Sequence, residues 1–149
     1  MEQQLFIRHC ENGDLDGIKQ IIKTYKINIY TYDTDLDNEF GFAYACYKGH
    51  LHIIEYLVNL YKINPDYNII NIHADDERGF ILACDNGHLH IVKYLINLYK
   101  INSDYDIINI YAKNEEGFIW THTNGLFQIV KYLINLGCYI HHYNNIILL

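Results

Sequence analysis

Histidine and cysteine carry most of the reactive chemistry available to this chain, and both come at fixed intervals. His50 and His52 are matched by His88 and His90, while Cys10, Cys46 and Cys84 each precede a glycine by three residues. Metal ligation is the chemistry such a histidine pair suggests. Residues two apart on a regular helix point roughly 200° apart, however, so one pair cannot chelate one ion. A cysteine nucleophile would be singular and set beside a base, not renewed in every unit, so the three thiols are expected to act as small buried hydrophobes. Cys138, His141 and His142 form a local cluster near the chain end, with no fourth ligand at finger spacing after them. That cluster reads as a capping tail. No phosphate loop, Gly-x-Ser-x-Gly or His-Glu-x-x-His occurs, and no carboxylate pair is implied for acid–base work. The expectation is a non-catalytic chain holding neither metal nor cofactor.

The intervals themselves point to the elements behind them. Gly13, Gly49, Gly87 and Gly125 are separated by 36, 38 and 38 residues. Phe6, Phe42, Phe80 and Phe118 each lie seven residues earlier, and His122 takes the cysteine place in the last unit. After each glycine the apolar residues fall at helical spacing, as in Leu51, Ile53, Ile54, Leu57, Val58 and Leu60. That face is too broad for a lone surface helix and suits one packed on two sides. The stretch before each glycine is also helix-like, with Asn38, Asp76 and Asn114 in the expected N-cap slot and Gly87 able to close its helix in the left-handed conformation. Each unit is then a short helix, a glycine turn, a longer helix and a polar connector. Such a hairpin cannot bury its own apolar face, and stacking copies gives every junction the same interface. The expected units are about 1–36, 37–74, 75–112 and 113–140, in a single domain over 1–149, with 141–149 a truncated repeat or C-terminal cap.

With "GHLHIIEYLVNL" and "GHLHIVKYLINL" as second helices, Ala45 and Ala83 in the first, and "INLGCYI" at 134–140, the chain resembles the ankyrin repeat. It departs from that pattern in lacking the Thr-Pro-Leu-His opening, in whose place stand Phe40-Gly41-Phe42-Ala43 and Arg78-Gly79-Phe80-Ile81, and in its longer connectors. The resemblance implies an all-α ankyrin-repeat solenoid of about four helix-turn-helix units with extended connector loops or hairpins. It implies that the histidine after the glycine bonds to a neighbouring loop. It further implies a protein–protein interaction module that binds through its connector tips and first-helix face. The wording, rich in Ile, Asn, Tyr and Lys, is similar to the divergent ankyrin proteins of mimivirus-like giant DNA viruses of amoebae. The tetratricopeptide pattern fits less well, since Trp120 is the single tryptophan, and the Asn-punctuated leucine ladder of leucine-rich repeats is missing.

Half of the 149 residues are hydrophobic and 19% are charged, which favours folding over disorder. The net charge of −7 argues against a nucleic-acid partner, whose backbone is held by Lys and Arg. No apolar run approaches the roughly 18–20 residues of a membrane span, and the opening MEQQLFIRHCENGD lacks a basic region followed by an apolar core, so no secretory signal is expected there. Reduced thiols and a cytoplasmic location (host cytoplasm if viral) are expected. Of the 18 acids, 12 fall in the connectors: Asp33, Asp35, Asp37, Glu39, Asp66, Asp75, Asp76, Glu77, Asp104, Asp106, Glu115 and Glu116. Such an edge is either an ordinary solvated loop face, since hairpin tips tolerate Asp, or one whose negative potential would steer a basic protein partner. From the resemblance, the candidate contact residues are Tyr47, Asp85 and Thr123 before the glycines, with Asp75, Asp76, Glu77, Asp106, Glu115 and Glu116 in the connectors. His73 and Tyr111 differ at one equivalent place and add specificity. Trp120 occupies a slot that reads as core. The alternative is a structural, self-associating array or virion component joined weakly end to end, with "IILL" at 146–149 exposed.

Overall fold

The computed structural model describes residues 2–25, 37–64 and 69–138, with the backbone alone for 37–39. The side chains of Asp33, Asp35, Asp37, Asn38, Glu39, Asp66, His141 and His142, and all of 139–149, lie outside the described residues. Among the described residues there are eight helices and no strand. In chain order they are α1 (Glu2–Asn12), α2 (Leu15–Tyr25), α3 (Asp37–Lys48), α4 (Leu51–Ile63), α5 (Ala74–Asp85), α6 (Leu89–Ile101), α7 (Ala112–Thr123) and α8 (Phe127–Asn135). They pair as hairpins α1–α2, α3–α4, α5–α6 and α7–α8, and the hairpins stack through their first helices, α1 on α3, α3 on α5 and α5 on α7. One apolar core runs from Phe6 to Cys138. This is the all-α helical solenoid that the period implied.

Each hairpin turns on its glycine. Gly13, Gly49, Gly87 and Gly125 have φ of 71°, 84°, 78° and 69°, the left-handed region where a Cβ is penalised. The residue after each glycine returns its N–H to a first-helix carbonyl, His50 to Ala45 and His88 to Ala83, both at 2.9 Å. These bonds satisfy carbonyls that a helix end leaves open.

A second set of glycines explains the missing Thr-Pro-Leu-His. Gly41, Gly79 and Gly117 lie in the first helices against the preceding unit's Phe and Cys. A Cβ at Gly41 would fall 2.5 Å from Phe6, and one at Gly79 would fall 2.7 Å from Phe42. Phe6, Phe42, Phe80 and Phe118 are all buried, as are Cys10, Cys46 and Cys84. The first-helix spine is thus Phe and Cys of one unit pressed on Gly of the next.

The entries to α5 and α7 differ from expectation. Asp76 and Asn114 are not N-caps in the usual sense. Asp75, Asp76 and Glu77 have φ of 48°, 56° and 68°, and Lys113, Asn114 and Glu115 repeat the pattern at 48°, 57° and 66°. Both helices open with a left-handed turn of three L-residues before the right-handed helix begins. Asn71 and Asn109 prepare that turn, accepting the N–H of His73 and Tyr111 on their side-chain oxygens at 3.1 Å. The turn carries Glu77 and Glu115 inward, to 4% and 8% exposure.

The second helices bury the expected stripe, including Ile53, Leu57, Ile91 and Leu95. The connectors bind back onto them. Tyr105 donates its hydroxyl to the Val58 carbonyl at 2.9 Å, and Tyr61 donates to Asp104 while accepting from the Asn102 amide.

Candidate functional site

The recurring histidines hold one unit to the next. His50 precedes α4 as its N-cap residue, at φ −89° and ψ 72°, so it is not on the helix. Its ring therefore lies beside that of His52, with centroids 5.9 Å apart, where helical geometry would have set them on opposite sides. His88 and His90 repeat this at 6.0 Å. All four rings reach the preceding glycine turn: His50 Nε2 to Glu11 O at 2.9 Å, His52 to Gly13 O at 3.0 Å, His88 to Tyr47 O at 2.8 Å and His90 to Gly49 O at 3.3 Å. A carbonyl only accepts, so each Nε2 carries the proton and donates. The pairs clamp a turn. In the first unit Asp14 stands at that place and caps its own helix, accepting from Gly17 N at 2.9 Å. These bonds, with His9 at 2.7 Å, hold the Asp14 carboxyl below the usual range.

The thiols sit deep in the spine. Burial pushes Cys10, Cys46 and Cys84 far above an ordinary thiol, and Cys138 up to about 11, so the reactive thiolate is suppressed at neutral pH.

The connector acids divide by environment. Asp75 pairs with Arg78 at 2.9 Å and with Lys113 of the next unit at 3.4 Å, and Arg78 chiefly holds its carboxyl low. Glu77 is a correction to the expected contact surface: it is enclosed, accepting from His73 Nδ1 at 2.8 Å and from Asn109 N at 2.9 Å. Glu115 is enclosed likewise at the matching place in the next unit. Asp76 and Asp106 are exposed and Glu116 is half-buried. The signal for the enclosed glutamates was in the sequence. Glu77 and Glu115 both stand ten residues before a glycine, with the same regularity as the cysteines.

The exposed side of the first helices carries a different pattern. At nine, five and two residues before the glycine the chain reads Gln4, Phe40, Arg78, Glu116; then Arg8, Tyr44, Leu82, Trp120; then Glu11, Tyr47, Asp85, Thr123. Nothing recurs there, while the buried places between repeat. In α3 this face is aromatic. Phe40 and Tyr44 have ring centroids 6.5 Å apart, as do Tyr44 and Tyr47, with Arg78 5.7 Å over Phe40 and Lys48 4.9 Å over Tyr47. A cavity of about 150 Å³ opens at its end, lined by Phe40, Phe42, Ala43, Ile72, Asp75 and Arg78 among others. Tyr47 is exposed, Asp85 accepts from Asn124 at 2.7 Å, and the exposed Thr123 donates to its own helix backbone. Trp120 is half-buried against the core. His73 and Tyr111 flank the left-handed turns, distant in sequence from this strip.

The family model for ankyrin repeats, in three copies, matches residues 6–109, and the chain belongs to that family. Among curated proteins, none matches, and among solved structures none matches. Among the described residues no helix is long and apolar enough to cross a membrane.

Proposed function

We propose that this chain is a non-catalytic binding module that takes a protein partner on the exposed face of its first helices and on its connector tips. Ankyrin repeats generally mediate protein–protein interaction, which supports the class. The single observation that carries the site is the contrast in recurrence. Positions that the fold needs repeat from unit to unit, whereas the exposed first-helix positions change each time and reach an aromatic strip at Phe40, Tyr44 and Tyr47. Rings of this kind give large contact area at low entropic cost. The 150 Å³ cavity beside Phe40 suits an anchoring apolar side chain.

The acids left free for a basic partner are Asp76, Asp106 and Glu116, with Tyr47, His73, Asp85, Tyr111 and Thr123 around them. Glu77 and Glu115 serve the fold. The proposed setting is the cytoplasm, where buried thiols stay reduced. A viral source is supported by the Ile-, Asn-, Tyr- and Lys-rich wording.

The test is affinity capture from host cytosol with wild-type protein, the Tyr44→Ala/Tyr47→Ala variant and a Lys131→Ala control on the opposite helix layer. A partner kept by the control and lost by the double variant supports the face. Equal recovery by all three removes it. For that partner, Asp76→Asn with Asp106→Asn slows association at low salt and leaves dissociation alone if the acids steer encounter.

A second reading, self-association as a structural array, is favoured by recurring apolar exposure. Ile63 and Ile101, at the same place in two units, are 66% and 67% exposed, which no packing need explains. Light scattering that stays monomeric as concentration rises would remove it.

A further inference from the structure

We infer that Asn12–Gly13 is a modification site, the turn at which this chain deamidates first. An Asn-Gly pair closes three of the four hairpin turns, at 12–13, 86–87 and 124–125, while Lys48 stands at that place in the second unit. Glycine leaves its own nitrogen sterically open to attack the preceding side-chain amide. Gly13 N gives its proton to a solvent base and bonds to Asn12 Cγ. The Cγ–Nδ2 bond breaks, ammonia leaves, and a succinimide remains. Water then opens the ring. Breaking N–Cγ leaves aspartate, and breaking N–C leaves iso-aspartate, whose main chain runs through Cγ. The sum consumes one water and releases one ammonia, with no oxidant or reductant.

The fold protects the three pairs unequally. The Asn86 amide donates to Leu82 O at 2.9 Å, and the Asn124 amide donates to Asp85 Oδ1 at 2.7 Å. Asn12 is exposed and its amide makes no hydrogen bond. Attack also requires the glycine N–H to leave its carbonyl. That bond is 3.4 Å for Gly13 to Cys10, against 3.1 Å for Gly87 and 3.2 Å for Gly125.

The position gives the reaction a consequence. Asn12 lies between Glu11 and Gly13, the two residues whose carbonyls His50 and His52 grip. Iso-aspartate adds a methylene to the main chain between those carbonyls, so both bonds cannot keep their present register. Either product also sets an anion at the C-terminal end of α1, between Glu11 and Asp14, where the helix dipole disfavours it. The first unit therefore loosens from the second as the protein ages.

Peptide mapping by mass spectrometry tests this on intact protein held in mildly alkaline buffer, reading the mass gained when NH2 becomes OH at each pair. In the folded protein Asn12 converts about five- to tenfold faster than Asn86 or Asn124, the factor that one protecting hydrogen bond represents. In denaturant the three rates come together within about threefold, because the protection is structural. Asn12→Lys, the residue the second unit already uses, removes the fast product and leaves helix content unchanged. Conversion of Asn86 or Asn124 as fast as Asn12 in the folded protein overturns the inference. So does survival of Asn12 in folded protein over a time in which the denatured chain converts fully.

Discussion

At the scale of single residues, the junctions turn on how little space is left for a side chain. Gly79 and Gly117 hold equivalent places, yet a Cβ would fall 2.7 Å from Phe42 at the first and 3.3 Å from Phe80 at the second. Alanine favours a helix over glycine by about 1 kcal/mol, while overpacking a tight core costs about 1–3 kcal/mol. Gly79→Ala is therefore expected to destabilise by about 1–2 kcal/mol, and Gly117→Ala to be near neutral or slightly stabilising. Urea unfolding of the two variants measures both. Equal effects would mean that the first helices do not approach as closely as Gly41 and Gly79 indicate. Recurrence made Cys10, Cys46 and Cys84 readable as small buried residues, and the resemblance implied the bond of His50 and His88 to a neighbouring loop. The same test applied to Gly41, Gly79 and Gly117, or to Glu77 and Glu115, would have found their roles too. Those glutamates read as surface charge because composition rules treat acids in connectors as solvated, and a buried, hydrogen-bonded carboxylate is the exception.

At the scale of elements, the helices and their glycine turns were legible, and the way two of them begin was not. N-cap rules assume a right-handed start, and nothing in Asp75-Asp76-Glu77 or Lys113-Asn114-Glu115 announces three consecutive left-handed residues. The physical reason appears only with the neighbour in place. The left-handed turn directs Glu77 inward to the N–H of Asn109, in the next connector. Each left-handed L-residue costs roughly 1–2 kcal/mol, whereas glycine avoids that cost and loses about 0.5–1 kcal/mol in chain entropy. The Asp76 side chain is exposed and makes no hydrogen bond, so Asp76→Gly is expected to stabilise by about 0.5–1 kcal/mol. A lower melting temperature for this variant would contradict a left-handed turn there. The second helices behave as ordinary core. Leu95 is 1% exposed within α6, and Leu95→Ala is expected to cost about 2–5 kcal/mol by equilibrium unfolding. A change within about 0.5 kcal/mol would place that helix against water.

At the scale of the whole molecule, the stack encloses a set of acids that are neutral at pH 7 and resist ionisation while folded. Burial holds the Cys10, Cys46, Cys84 and Tyr105 protons far up, Cys138 to about 11 and Tyr94 to about 12. Their ordinary values are 9.0 for the thiols and 10.0 for the phenols. The folded values are raised, so the native state binds more protons than the unfolded chain once pH passes the ordinary values. Their contribution to stability is full below pH 9 and is lost progressively as pH rises toward 12. On the acid side, Asp14 and Asp75 are lowered, so their contribution is present above 3.8 and fades below it. Because both are largely exposed, that acid effect is small beside the alkaline one. The expected profile is therefore a plateau through neutrality, then a steep fall in urea midpoint from pH 9 upward. Several thiols and phenols ionise together only when the units part, so the fall should be cooperative and track loss of helix signal. Cys46→Ala adds a discriminating arm. It lowers stability at pH 7 by leaving a small cavity in the spine, yet its midpoint declines less between pH 9 and 11 than the wild type's, because one titrating group is gone. Parallel decline of the two would mean that Cys46 already ionises in the folded stack and that the Phe–Cys–Gly spine is open to solvent.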